Sequence, residues 1–130
     1  RVSYTAFGLV PGNGGTYFLP RIVGEAKALE LFWSAEPISA EEALDIGMVN
    51  QVFEDHEFMQ RCLEFAHGIA ERAPLAMKLV KRAVRQSLAM DLNTHLDMVS
   101  SHMLLTRPSE DHAEAIKAYE EGRKPVFKGK

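Results

Sequence analysis

The chain has 130 residues with 15 basic and 18 acidic side chains, a formal net charge of −3, and is 46% hydrophobic and 25% charged, the profile of a single globular domain rather than a disordered chain. The lack of a basic excess argues against nucleic acid as a partner, and no apolar run reaches membrane-spanning length, so neither nucleic acid nor a membrane is expected. A lone Cys62 excludes an intrachain disulfide and offers no paired-cysteine metal site, which points to an intracellular, cytoplasmic setting.

Arg1 rather than Met opens the sequence, and no charged-then-apolar signal pattern follows, so a trimmed or partial chain is expected. Residues 2–7 are rich in β-branched and aromatic types and predict a short strand. Gly8 to Gly15 is a glycine-rich turn, and Thr16 to Val23 reads as a short helix with Pro20 near its middle. Residues 25–34 predict a helix carrying Ala26, Ala28, Leu29, Leu31, Phe32 and Trp33 around most of its circumference, hence buried on several sides.

Ser39-Ala-Glu-Glu42 is a capping box for a helix from Ala40 to Gly47, and Met48 to Phe53 is a second strand candidate. Four helices are then expected at 56–72, 74–90, 92–106 and 109–121. Phe58, Cys62, Phe65 and Ile69 are helically spaced on the first of them. Pro74 opens the second, with Leu75, Leu79, Val80, Val84 and Leu88 as its inner face; Leu92, Leu96, Val99 and Met103 play that part in the third. Ser109 caps the last, Gly122 stops it, and a basic tail from Arg123 to Lys130 follows. The fold class is therefore mainly α with a short N-terminal β segment. One or two strands do not make a stable sheet, so partner strands would have to lie outside this sequence.

The turn at Gly12, Gly14 and Gly15 leads into a helix whose unpaired N–H groups and positive dipole end would face an anion or a carbonyl oxygen. It lacks the Lys-Ser/Thr pair of a phosphate loop, and Tyr17 stands where a third glycine would complete a dinucleotide fingerprint. A ligand-facing corner and a plain tight turn both fit. His95 and His102 share a helical face, but no Cys, Asp or Glu completes a ligand set, so no metal is expected. Lys78, Lys81, Arg82 and Arg85 form a basic stripe, read either as a solvated face or as a contact for a phosphorylated ligand or an acidic partner surface. Tyr119, Arg123 and Lys124 fit helix-end charge complementarity or contact with a nucleotide.

Gly8-Leu-Val-Pro-Gly-Asn-Gly-Gly-Thr16, followed by Leu19-Pro-Arg-Ile-Val-Gly24, resembles the crotonase (enoyl-CoA hydratase/isomerase) superfamily. The likeness continues through Ala28-Leu-Glu-Leu31, Ile38-Ser-Ala-Glu-Glu-Ala43, Gly47-Met-Val49 and Ala73-Pro-Leu-Ala76. It ends with Ser109-Glu-Asp111 and Ala118-Tyr-Glu-Glu-Gly-Arg-Lys-Pro-Val-Phe127, in the family's order over nearly the whole sequence.

The resemblance implies the C-terminal half of such a protein: residues 1–24 as the end of the β-spiral core with its glycine turn, and 25–130 as the helical region that drives trimer or hexamer assembly. It implies an acyl-CoA thioester as substrate, no permanently bound cofactor, a place in fatty acid metabolism, and chemistry by stabilisation of an enolate. The oxyanion-hole donors belong to the half not represented here, so the chain alone is expected to be inactive. Tyr4 and Gly12 occupy the positions where family members place their acids, which leaves no catalytic residue assigned and places the chain nearer the isomerase branch. Pro11, Gly12, Asn13 and Gly14 would wall the substrate pocket. Phe32 or Trp33 would line its acyl end, with a core role the other reading for Trp33. Tyr119 would pack near the adenine of coenzyme A, with Arg123 the nearest substitute for a family lysine replaced by Gly122. The alternative function is a non-catalytic helical oligomerisation module.

Overall fold

A computed structural model describes residues 3–130, and all the regular structure among them is helical: a 3-10 turn at Thr5–Phe7, then α1 Gly15–Val23, α2 Glu25–Ser34, α3 Ala40–Asp45, α4 Phe58–Ala70, α5 Pro74–Ser87, α6 Leu92–Thr106 and α7 Glu110–Glu120. The described residues are thus helical, as expected of the C-terminal region, but without the expected N-terminal strand. Val2 lies outside the described residues. Over the rest of that segment the Phe7 and Leu9 N–H groups both donate to the Tyr4 carbonyl at 3.0 Å. Lacking a partner strand, this backbone satisfies itself locally. Met48–Phe53 is not a strand either. The N–H groups of Met48 and Val49 fold back onto the Ala43 carbonyl at 2.8 and 3.2 Å, closing the end of α3 through left-handed Gly47.

Two compact units divide after Phe58. In the first, Leu19 of α1 and Ala28, Leu31 and Phe32 of α2 form one core, with Val23, Ile38, Ile46 and Met48 packed against it. Packing therefore runs from α1 to α2 across Gly24. Gly24, with φ 83°, ends α1 and begins α2. Such a backbone reversal between two packed helices suits a residue without a Cβ. The Thr5 hydroxyl donates to the Phe32 carbonyl and ties the 3-10 turn to α2. Lys27 bridges Glu30 and Glu42 at 2.8 and 3.0 Å, linking α2 to α3. Ser39 Oγ accepts the Glu42 N–H at 3.0 Å, so the expected cap is formed. Helix α2 is buried along one face only. Trp33 is 71% exposed in this chain.

The second unit, Met59–Lys130, buries little apolar surface, with Leu79 and Ala118 as its buried hydrophobic residues. Helices α5 and α6 pack together. The inner faces expected on α5 and α6 are only partly used: Val80, Val84 and Leu88 are exposed on α5, as are Leu92, Leu96 and Met103 on α6. Phe58, Phe65 and Ile69 of α4 are likewise exposed. Asp91 Oδ1 and Ser109 Oγ cap α6 and α7, each accepting an N–H three residues on at 3.1 Å. No helix among the described residues is long and apolar enough to cross a membrane.

Candidate functional site

The glycine turn builds its corner from two consecutive left-handed residues, Asn13 at φ 54° and Gly14 at φ 80°. The Gly15 N–H donates to the Gly12 carbonyl at 3.0 Å, closing the turn, while the Tyr17 and Phe18 N–H groups both reach the Gly14 carbonyl at 2.9 Å and start α1. The N–H groups of Asn13, Gly14 and Thr16 have no acceptor among the described residues. They lie at the positive end of the helix dipole, the arrangement that receives an anion or a polarised carbonyl. Pro11 is half-buried behind the turn, Gly12 and Asn13 are exposed, and Gly14 is half-buried. The structure thus brings Pro11, Gly12, Asn13 and Gly14 into one corner, whereas Trp33 stands exposed near the far end of α2.

The glycines of this corner have different causes. A Cβ on Gly14 would sit 2.8 Å from the Phe18 ring, and one on Gly15 would sit 3.1 Å from Pro11 Cβ. A Cβ on Gly12 would meet nothing within 4 Å, and Gly12 does not need positive φ. Tyr4 caps the 3-10 turn, half open to solvent. Neither Tyr4 nor Gly12 presents a carboxylate.

In the second unit, Tyr119 near the end of α7 is 88% exposed, a flat aromatic face open to a ligand. Arg123 is committed elsewhere. Its Nη1 and Nη2 donate to the two Glu114 oxygens at 2.6 and 2.9 Å, and its Nε donates to Glu121 at 2.6 Å. Glu114 also accepts the Val126 N–H at 2.9 Å, and buried Asp111 accepts those of Lys128 and Gly129 at 2.7 and 2.9 Å. Arg123 thus works first as an anchor of the C-terminal tail. This clamp was missed from sequence; the acidic first turn of α7 followed by a basic tail was the available signal. His56 lies 3.8 Å from Glu57, and no group of three metal-ligating side chains converges among the described residues. Lys78, Lys81, Arg82 and Arg85 form no ion pair among the described residues; Arg82 donates to Gln86 at 3.3 Å.

The family model described as enoyl-CoA hydratase/isomerase matches residues 2–130. The chain belongs to that family. The short-chain-enoyl-CoA hydratase of Clostridium acetobutylicum is 40% identical over 117 residues, covering 90% of this chain and 45% of the relative. The 1,2-epoxyphenylacetyl-CoA isomerase of Escherichia coli is 32% identical over 129 residues, covering 99% of this chain and 49% of the relative. Among solved structures, the enoyl-CoA hydratase from Bacillus anthracis superposes with a TM-score of 0.93 at 35% identity, over 97% of this chain and 49% of that one. The chain spans about half the length of the curated relatives it matches.

Two outcomes follow from this geometry. Gly14→Ala should lower stability by roughly 1–2 kcal/mol for the left-handed backbone alone, with further loss from the Phe18 contact. Gly12→Ala should be neutral or stabilising by up to about 1 kcal/mol. Thermal unfolding of the two variants side by side checks this, and equal losses would show that the corner does not depend on Gly14.

The second concerns the tail. The Arg123 guanidinium, and then the Val126 N–H, hold the Glu114 carboxyl at about 2, below the ordinary 4.5. A depressed folded value means the contact contributes fully above the unfolded value and is lost as pH falls through about 2. The Val126 amide resonance should therefore move with acidification across that window and hold steady above it. Glu114→Gln should abolish the titration.

Proposed function

We propose that this chain forms one wall of an acyl-CoA thioester pocket in an enoyl-CoA hydratase/isomerase-like protein of acyl-CoA metabolism. The observation that carries the reading is the glycine corner, with its free N–H groups at the positive end of α1, in a chain of this family. Such a corner favours negative charge or a polarised carbonyl beside it, and so would complement the enolate that oxyanion-hole donors outside this sequence stabilise. Within the first unit, Pro11, Gly12, Asn13 and Gly14 would border the thioester and Trp33 would contribute to the acyl end; taken by itself, the exposed Tyr119 of the second unit would offer its ring to an adenine. The coenzyme arrives and leaves as part of the substrate rather than as a resident group. With Tyr4 and Gly12 at the acid positions, this chain would supply electrostatic and shape complementarity rather than the proton carrier.

Titration with crotonyl-CoA by calorimetry, alongside assays for hydration and double-bond migration, tests this. Binding without turnover is expected, and Tyr119→Ala should weaken binding by roughly tenfold, the loss of about one aromatic stacking contact. Absence of binding would overturn the pocket reading, and turnover by these 130 residues would overturn the division of labour.

A second reading, helical self-association, has its own observation. Leu92, Leu96, Met103, Leu104 and Leu105 of α6 are all more than half exposed, on several sides of one helix. Apolar surface of that extent marks an interaction face. Sedimentation velocity should show a trimer or hexamer that Leu104→Glu dissociates; a stable monomer at high concentration would count decisively against it.

A further inference from the structure

Away from the glycine corner, the turn from α4 into α5 carries a two-limbed groove. One limb, a cavity of about 520 Å³, is lined by Ala70, Pro74, the tail residues Pro125, Val126 and Phe127, and the charged Glu71 and Lys124. The other, about 350 Å³, has Met77, Lys78 and Lys81 in its lining. Ala70, Arg72 and Pro74 line both limbs, so the two adjoin at Arg72. Each limb is within the size range of small-molecule sites.

The charge of this groove is one-sided. Arg72, Lys78 and Lys81 form no ion pair among the described residues, and the fourth cation, Lys124, reaches Glu71 only at 3.9 Å. Four cations thus face one carboxylate around walls that are mostly apolar. The tail wall is held in place rather than loose: Glu114 accepts the Val126 N–H at 2.9 Å and Asp111 accepts that of Lys128 at 2.7 Å. A concave apolar surface with unpaired cations at its junction selects a ligand that carries both an apolar chain and an anionic head.

We propose that the α4–α5 groove binds an anionic amphiphile, its head on Arg72 with Lys78 and Lys81 beside it, and its apolar chain along Pro74, Val126 and Phe127. A carboxylate and a phosphate monoester share the head chemistry, so octanoate and octyl phosphate are the probes. The proposal stands apart from the thioester reading: the residues differ, and Tyr119→Ala should leave it untouched.

The test is NMR titration of the 130-residue chain with octanoate, octyl phosphate, octanol and inorganic phosphate. Saturable shifts at Ala70, Arg72, Met77, Val126 and Phe127 with octanoate or octyl phosphate are expected, the better probe identifying the head. Octanol and inorganic phosphate should each bind at least tenfold more weakly. Arg72→Gln should weaken the better probe by roughly tenfold, the loss of one charge-assisted contact. Lys81→Gln, an exposed position where folding is not at stake, should weaken it by a smaller factor. Failure of both amphiphiles to bind would overturn the proposal. So would octanol binding as tightly as octanoate, inorganic phosphate binding as tightly as octyl phosphate, or full affinity in both variants.

Discussion

Two carboxylates on one helix organise the second unit. Asp111 and Glu114 are one helical turn apart in α7, and between them they accept the Val126, Lys128 and Gly129 N–H groups and both arms of the Arg123 guanidinium. The Asp111 N–H also donates to the Lys130 carbonyl at 3.1 Å. An extended tail has no internal hydrogen bonds, so its orphan donors need acceptors, and a charged acceptor serves them better than a neutral one. Asp111 is 3% exposed, and removing its partners would leave a buried charge unpaired, which is far more costly than losing a surface ion pair. The tail is therefore a fixed part of the fold. Pro125, Val126 and Phe127 become the wall of a groove, and Arg123 becomes an anchor before it is anything else.

This polar clamp matters because apolar burial is scarce. Leu79 and Ala118 are the buried hydrophobic residues of the second unit, while α6 exposes leucines and a methionine on several sides. The first unit does better, with Leu19, Leu31 and Phe32 meeting across the Gly24 reversal, yet Phe7, Val10, Phe18 and Trp33 remain open. Exposed apolar area of this extent is unfavourable in water and finds relief in further packing. Self-association would cover α6, and a bound acyl chain would cover part of the surface near α1 and α2. The two proposed readings thus draw on the same surplus at different places.

Local chemistry in the sequence carried most of the helices. Ser39, Asp91 and Ser109 cap α3, α6 and α7 because a short side-chain oxygen satisfies an N–H three residues on, a relation wholly contained in four residues. Glycine and proline punctuation placed the starts of α1 and α5 in the same way. What sequence alone did not reveal depends on partners distant in the chain. Residues 3–7 have β-forming composition, but with no strand among the described residues to pair with they close a 3-10 turn. Helical spacing on α4, α5 and α6 showed which residues share a face, but not whether anything covers that face. Arg123 fits helix-end charge complementarity or a nucleotide contact, and spacing alone does not single out its partner, Glu114, nine residues back. Arg72 carries no signal in the sequence, since part of its groove comes from a tail more than fifty residues away.

Within the corner that identifies the family, three glycines are present for different reasons. Gly14 answers to backbone handedness and to the Phe18 ring, and Gly15 to the approach of Pro11. Gly12 answers to neither, since its backbone is ordinary and the space beyond its Cα is empty. A fold requirement therefore does not explain glycine at position 12. What its lack of a side chain does accomplish is to leave the front of α1 unobstructed, with the Asn13, Gly14 and Thr16 N–H groups bare at the positive end of the helix. A carboxylate there would bring proton chemistry, but it would also place negative charge against the donors that favour a negative oxygen. On the proposed reading the corner would act as an electrostatic wall, and an acid serving the same pocket would have to reach it from elsewhere.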